Sequence, residues 1–134
     1  MSKVELKRIM HVDDDADIRE ITKLALETIG NYTVSSFESG TEALKAIQAF
    51  SPELILLDVS MPIMSGPDVL RALTTMPAAQ GIPVVFMTAT AQRNAEPSLK
   101  ELGATGFIEK PFDPVALPDQ LAFIWRQHAR SQQP

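Results

Sequence analysis

Apolar stretches of strand length recur five times along this chain, separated by segments whose apolar residues repeat with the period of a helix. The stretches occupy residues 7–12, 32–37, 53–57, 83–87 and 106–109. Strands that alternate with helices in this way indicate a parallel sheet covered by helices. The third stretch is almost unbroken in its apolar character, which suits a strand buried on both faces. We therefore expect an α/β fold with a five-stranded parallel sheet.

The length of the chain limits it to one domain. Its 134 residues suffice for one hydrophobic core, and we expect a single domain over residues 1–134, with its core at about 8–126 and a polar tail at 127–134. No apolar segment has the length of a membrane span, and the N-terminus lacks the pattern of a secretory signal. These features predict a stand-alone domain in the cytoplasm without membrane contact.

Composition narrows the kinds of site that the chain can build. It contains no cysteine and only two histidines, so a disulfide framework, a thiolate metal site and a histidine-rich metal centre are excluded. Any bound metal must be held by oxygen atoms. The net charge of −5 argues against direct nucleic-acid binding, which depends on clustered lysine and arginine.

Four of the five apolar stretches end in polar side chains of defined types. An acidic run at residues 13–15 follows the first stretch, Asp58 the third, Thr88 the fourth and Lys110 the fifth. Because parallel strands place their carboxyl ends at one edge of a sheet, and ligands bind there, these side chains should meet in one site.

Three carboxylates held together would repel one another unless a cation were present. At about 4 Å and an effective dielectric constant near 20, each like-charged pair costs about 4 kcal/mol. Mg²⁺ fits such a set, because it prefers oxygen ligands and is usually bound through one or two carboxylates beside a phosphate. Together with Lys110 and the Thr88 hydroxyl, the cluster suits phosphoryl transfer to a carboxylate. Asp58, the isolated carboxylate, is the expected acceptor.

With these residues at its strand ends, the chain resembles the receiver domain of two-component response regulators, from about residue 8 to residue 121. The matching motifs are VDDD at residues 12–15, DVSMP at 58–62 with Gly66 after it, TAT at 88–90, GA at 103–104 and KPF at 110–112. The resemblance implies a flavodoxin-like, doubly wound sheet with strand order 2-1-3-4-5 and helices on both faces. It also implies a cis peptide bond between Lys110 and Pro111.

The resemblance further implies a role for each site residue. Asp58 is the phosphoacceptor, Thr88 and Lys110 contact the phosphoryl group, and Phe107 turns inward as Thr88 moves. Asp13, Asp14, Asp58 and the backbone carbonyl of Ser60 would bind Mg²⁺. A sensor histidine kinase or a histidine phosphotransfer protein would donate the phosphoryl group, and the signal would pass to an unknown downstream protein or to a phosphorylation-dependent homodimer. Such a switch is not a conventional enzyme.

Other interpretations remain open at this stage. Asp14 and Asp15 could cap the first helix, and Phe107 could be an ordinary core aromatic. A small phosphatase of the haloacid-dehalogenase type would use Asp13 as nucleophile and Asp15 as acid, leaving Asp58 without a role. A receiver-like module that binds partners without phosphorylation would need no Mg²⁺.

Local patterns give further expectations about the helices. Ile18, Ile21, Ala25 and Ile29 lie near one face of the first helix, which should end at Gly30. The fourth helix should begin near Glu96 because Pro97 cannot lie in a helix interior, leaving a long, mobile loop at 91–95. Asp113 and Pro114 should cap and start the last helix. Gly66 should supply positive φ in the loop after Asp58.

Overall fold

The computed structural model describes residues 5–132 and has five parallel strands. The strands follow the order β2-β1-β3-β4-β5, which confirms the predicted flavodoxin-like topology. They are β1 (Arg8–Val12), β2 (Thr33–Phe37), β3 (Leu54–Asp58), β4 (Val84–Ala89) and β5 (Gly106–Lys110).

Across residues 5–132, five α-helices connect or follow these strands. They are α1 (Ala16–Leu24), α2 (Gly40–Phe50), α3 (Gly66–Leu73), α4 (Glu96–Leu102) and α5 (Leu117–Ser131). A π-helical turn, Ala25–Ile29, continues α1, and two 3₁₀ turns, Pro77–Ala79 and Thr90–Ala95, precede β4 and α4. Within residues 5–132, none of the helices has both the length and the apolar character that a bilayer crossing requires.

The helices divide between the two faces of the sheet, and each face has its own core. Residues of α2, α3 and α4 pack on one face around Phe86, Ile55 and Leu57. The π turn after α1 and the start of α5 pack on the other face, where Leu26, Leu117 and Leu121 cover β1, β3 and β4. Every residue of β3 is buried, as its unbroken apolar run predicted.

The first helix presents only part of the predicted face to the core. Thr22, Ala25 and Leu26 are buried, whereas Ile21 and Ile29 are exposed. The N–H of Gly30 donates to the carbonyl of Ala25 (3.2 Å), a bond across five residues that marks the π turn. The extra residue in this turn shifts the period, so the predicted apolar face does not stay on one side. Gly30 ends the helix as predicted.

The sequence predicted the first residue of α4 correctly and that of α5 incorrectly. The fourth helix begins at Glu96, as Pro97 predicted, but the preceding segment is a 3₁₀ turn rather than a loop. The prediction that Asp113 and Pro114 start α5 is wrong, because α5 begins at Leu117. The Asp113 carboxylate instead accepts from the N–H of Val115 (3.0 Å) and closes a turn.

The loop after Asp58 contains an unexpected backbone conformation. Ile63, not Gly66, has positive φ (69°), and its side chain is fully exposed. Gly66 serves a different purpose, since a Cβ atom at this position would lie 2.3 Å from the carbonyl oxygen of Asp58. The loop therefore needs Gly66 for close packing under the site, while Ile63 adopts a conformation that β-branched residues disfavour.

Ile63→Gly is expected to raise the free energy of unfolding by about 0.5–1 kcal/mol. Glycine adopts positive φ without the Cβ clash, and its greater freedom in the unfolded chain offsets part of this gain. Urea unfolding monitored by circular dichroism measures the change. Ile63→Ala is the matched control, because it removes the exposed side chain but keeps the Cβ atom, and it should change stability little. Equal stabilisation by both variants would contradict the strain at Ile63.

Candidate functional site

The carboxyl ends of the strands bring the predicted polar side chains to one edge of the sheet. Asp13 follows β1 directly, Asp58 is the last residue of β3, and Lys110 is the last residue of β5. Thr88 is the penultimate residue of β4. Parallel pairing aligns these ends, with Asp58 opposite Met87 and Thr88 opposite Glu109. The side chains that the sequence singled out therefore lie around one rim.

Lys110 joins the two buried carboxylates of this rim. Its Nζ atom lies 3.2 Å from Asp13 Oδ2 and 3.2 Å from Asp58 Oδ1. Asp13 is fully buried and Asp58 is 5% exposed. Buried carboxylates need opposite charge and hydrogen-bond donors, and Lys110 supplies both. The peptide bond from Lys110 to Pro111 is cis, as the resemblance implied.

The acidic side chains form a group that could hold a metal ion. Carboxylate oxygens of Asp13, Asp14 and Asp58 all lie within 4.8 Å of one another. Asp14 is exposed, whereas the other two are buried, so the group opens to solvent on one side. A donor set made only of carboxylate oxygens fits a hard divalent cation that keeps part of its water shell.

The electrostatics of the site reflect this crowding of charge. Burial raises the pKa of Asp58, and the carboxylate of Asp13 raises it further, while Lys110 opposes both effects. Burial on its own would lower the pKa of Lys110, but the carboxylates of Asp13 and Asp58 outweigh it and raise that pKa above its usual value. Lys110 is therefore held as an ammonium ion beside a carboxylate that is costly to ionise.

Thr88 adds a hydroxyl group that the folded chain leaves unused. Its side chain is fully buried, and its Oγ1 atom has no hydrogen-bond partner among residues 5–132. Such an atom normally costs free energy unless a ligand or a water molecule satisfies it. Phe107 lies nearby on β5, half-buried, with its ring centroid 6.5 Å from that of Phe86. Phe107 thus belongs to the edge of the core.

The three aspartates of the acidic run at residues 13–15 make different contacts. Asp15 is the N-cap of α1, and its Oδ1 atom accepts from the N–H groups of Asp17 (2.9 Å) and Ile18 (3.2 Å). This resolves the capping alternative in favour of Asp15, with Asp14 left in the acidic group. The Oδ1 atom of Asp13 accepts from the N–H of Asp15 (2.9 Å), which fixes the Asp13 carboxylate.

Two further residues contact the site without having been predicted from the sequence. The Arg19 guanidinium donates to the carbonyl of Asp13 (2.7 Å). The side-chain amide of Gln92 accepts from the N–H of Ala89 (2.9 Å) and donates to the hydroxyl of Ser60. Arg19 could have been suspected from its place one turn after the cap of α1. Gln92 carried no signal, because it lies in a segment without apolar periodicity.

Comparisons with known proteins identify this arrangement. The family model described as "Response regulator receiver domain" matches residues 9–122. The DNA-binding response regulator MtrA of Mycobacterium tuberculosis is 38% identical over 111 residues, covering 83% of this chain and 47% of that protein. Protein-glutamate methylesterase/protein-glutamine glutaminase 3 of Rhodospirillum rubrum is 35% identical, covering 84% of this chain and 30% of that protein. The chain thus spans less than half the length of these two relatives.

Solved structures agree with the sequence matches. The chemotaxis protein CheY4 of Vibrio cholerae superposes with a TM-score of 0.82 at 28% identity, covering 89% of this chain and 98% of that one. A CheY-like receiver domain protein of Methanospirillum hungatei has a TM-score of 0.81 at 29% identity, covering 95% of this chain and 99% of that one. Since the family model spans most of the sequence, the chain belongs to the response regulator receiver domain family.

Proposed function

We propose that this receiver domain is a phosphoacceptor switch in which Asp58 carries the phosphoryl group. The observation that carries the proposal is the position of Lys110 Nζ, 3.2 Å from both Asp13 and Asp58 at a rim where Thr88 has an unused hydroxyl. An ammonium and a hydroxyl beside one nucleophilic carboxylate suit the stabilisation of phosphoryl oxygens. Family membership supports the same function at a coarser level.

The proposed chemistry is a displacement at phosphorus. A carboxylate oxygen of Asp58 forms a bond to phosphorus while the bond from phosphorus to the donor imidazole nitrogen breaks, and the electron pair of that bond stays on the nitrogen. The raised pKa of Asp58 marks a carboxylate that is poorly solvated and correspondingly nucleophilic. Lys110, which contacts Asp58, would offset the charge that develops on the phosphoryl oxygens, and the unpaired hydroxyl of Thr88 would donate a hydrogen bond to one of them.

The acidic group is proposed to bind Mg²⁺ during this reaction. Asp13, Asp14 and Asp58 would hold the ion together with the backbone carbonyl of Ser60, and the set fits because all three carboxylates can reach one point. When bound, the ion supplies positive charge against the phosphoryl oxygens and reduces repulsion among the carboxylates. Asp13 keeps its orientation through its bonds to Lys110 and to the Asp15 N–H.

Phosphorylation is proposed to change the surface through Thr88 and Phe107. A phosphoryl group on Asp58 offers the acceptor that the buried Thr88 hydroxyl lacks, so Thr88 should move toward it. Phe107 is only half-buried against Phe86 and should turn inward as Thr88 moves. The result is a shift between two surface states that differ in affinity for a partner.

The donor is proposed to be a sensor histidine kinase or a histidine phosphotransfer protein, and the target another protein or a second copy of the chain. DNA binding belongs to the name of the mycobacterial relative, of which this chain covers less than half. The net charge of −5 gives no reason to propose direct nucleic-acid contact here. The domain catalyses only its own phosphorylation and dephosphorylation in this proposal.

The two alternative functions receive less support. The receiver-domain match argues against the phosphatase alternative. That alternative also gives no role to Asp58, although Lys110 contacts the Asp58 carboxylate. The phosphorylation-independent module would have no use for three clustered carboxylates beside an ammonium. Neither alternative is carried by an observation of its own.

Intact-mass spectrometry after incubation with acetyl phosphate and Mg²⁺ tests the proposal. We expect a mass increase of one phosphoryl group per chain, its loss on treatment with hydroxylamine, which cleaves acyl phosphates, and no increase when EDTA is present. An unchanged mass with Mg²⁺ present would refute the switch. Repeated turnover of a phosphomonoester such as p-nitrophenyl phosphate would instead favour the phosphatase.

A further inference from the structure

The side chain of Gln92 connects two loops at the rim of the site. It lies in the 3₁₀ turn Thr90–Ala95, and its Oε1 atom accepts from the N–H of Ala89 (2.9 Å) while its Nε2 atom donates to Ser60 Oγ. Ala89 is the last residue of β4, and Ser60 lies two residues beyond the end of β3. One side chain thus spans the gap between the strand that carries Thr88 and the strand that carries Asp58. We call this pair of bonds the Gln92 latch.

The N–H of Ala89 points toward the strand that ends in Asp58. The carbonyl of Met87 accepts from the N–H of Val59 (3.3 Å), so the backbone of Met87 faces β3. Backbone groups two residues apart on a strand point in the same direction, so the Ala89 N–H also faces the β3 side. It lies next to Thr88, whose hydroxyl is buried and without a partner. The donor that Gln92 occupies is therefore directed toward the site.

We propose that the Gln92 latch holds the unphosphorylated state by occupying a backbone donor that a phosphoryl group on Asp58 needs. This inference rests on the proposed function. A phosphoryl group presents several acceptor oxygens, which need hydrogen-bond donors from the residues around the site. The Ala89 N–H can donate to one of them only when Gln92 releases it. Release also breaks the bond to Ser60 and frees the 3₁₀ turn that leads into α4. Gln92 is thus a positioning residue that makes the response of α4 depend on the state of Asp58.

Beryllofluoride, a stable mimic of the phosphoryl group, tests the latch in the presence of Mg²⁺. Each neutral hydrogen bond contributes a net factor of about five to an equilibrium constant. Gln92→Ala removes the competitor for Ala89, so it should bind beryllofluoride about five- to tenfold more tightly than the wild type. Its melting temperature without ligand should fall slightly, because the latch stabilises that state. A residue with a merely structural role would weaken binding and lower the melting temperature together.

Ser60→Ala and Asn94→Ala complete the experiment. Ser60→Ala removes one end of the latch, so it should tighten binding by a smaller factor, and the Ser60→Ala/Gln92→Ala double variant should bind no more tightly than Gln92→Ala. Asn94 is exposed on the same turn and takes no part in the latch; Asn94→Ala should behave as the wild type. In wild-type protein, the side-chain amide signals of Gln92 in a ¹⁵N–¹H spectrum should shift when beryllofluoride binds.

The outcomes separate this inference from the proposed function. A wild-type chain that binds beryllofluoride while Gln92→Ala binds with equal or lower affinity would overturn the latch and leave the switch intact. Independent, additive effects of Ser60→Ala and Gln92→Ala would overturn it as well. If the wild type binds no beryllofluoride at all, the proposed function fails, and the latch fails with it.

Discussion

Asp58→Asn is expected to reduce incorporation of phosphoryl groups from acetyl phosphate to background. The amide that replaces the carboxylate has no oxygen able to attack phosphorus, although it keeps the size of the side chain. Asp13 cannot take over, because it is fully buried and bound to Lys110 and to the N–H of Asp15. Intact-mass spectrometry at several times after addition of acetyl phosphate and Mg²⁺ measures the loss.

Two controls separate lost chemistry from lost folding. Burial and the charge of Asp13 make an ionised Asp58 unfavourable, so removing that charge should raise the free energy of unfolding at neutral pH. Asp58→Asn should therefore be inactive and at least as stable as the wild type. Glu38→Gln removes an exposed carboxylate that follows β2 at the same edge of the sheet, and it should label normally. Undiminished labelling of Asp58→Asn would remove Asp58 from its proposed role.

The sheet could be predicted from the sequence because its strands are buried and simply patterned. An unbroken apolar run such as that of β3 has few alternatives to a central strand, and a polar residue that ends such a run marks the rim. Asp58 and Lys110 could therefore be placed near each other before any contact was known. The resemblance to receiver domains then supplied the strand order, which neither composition nor periodicity determines.

The helices were harder to predict because their patterns depend on more than a constant period. Apolar spacing in the first helix indicated a buried face through Ile21, but the face that is buried runs through Thr22, Ala25 and Leu26 and leaves Ile21 at its exposed side. The π turn at Ala25–Ile29 adds a residue and turns Ile29 away from that face. The buried Thr22 could not be expected either, since threonine is usually at a surface. At Asp113, a side chain that could have capped a helix closes a turn instead.

Gln92 was missed for a different reason. Its proposed role depends on two contacts, one to a neighbouring backbone group and one across the rim to Ser60, and neither leaves a pattern in the sequence. The segment around it has no apolar repeat, so it resembled a mobile loop. Specific polar contacts of this kind follow from the fold and can be found only once the strands are in register.

His11 is expected to make the fold sensitive to acid. Its side chain is fully buried in β1, and neither ring nitrogen has a hydrogen-bond partner among the described residues. Burial, together with the nearby charges of Lys110 and Arg19, lowers the pKa of His11 from 6.5 to about 3. This burial places a titratable group where no acidic side chain or hydrogen-bond acceptor of the described residues stabilises its charged form.

The sign of the effect follows from proton binding. Between pH 6.5 and pH 3 the unfolded chain binds a proton at His11 that the folded chain does not, so the free energy of unfolding falls as the pH falls. Above pH 6.5 the protonation of His11 does not reduce the free energy of unfolding. Below that pH the free energy of unfolding falls by about 1.4 kcal/mol for each pH unit, a loss of about 5 kcal/mol by pH 3. That loss is comparable to the whole stability of many domains of this size.

His11→Leu should remove this dependence, because leucine fills a similar volume and cannot be protonated. The difference in unfolding free energy between variant and wild type should grow by about 1.4 kcal/mol per pH unit below pH 6, in urea titrations at steps from pH 7 to pH 4. Comparing the two proteins cancels the opposite contribution of Asp58, whose raised pKa favours the fold as the pH falls. Parallel curves for His11→Leu and wild type would contradict this prediction, because they would mean that His11 binds its proton as readily in the folded chain as in the unfolded chain.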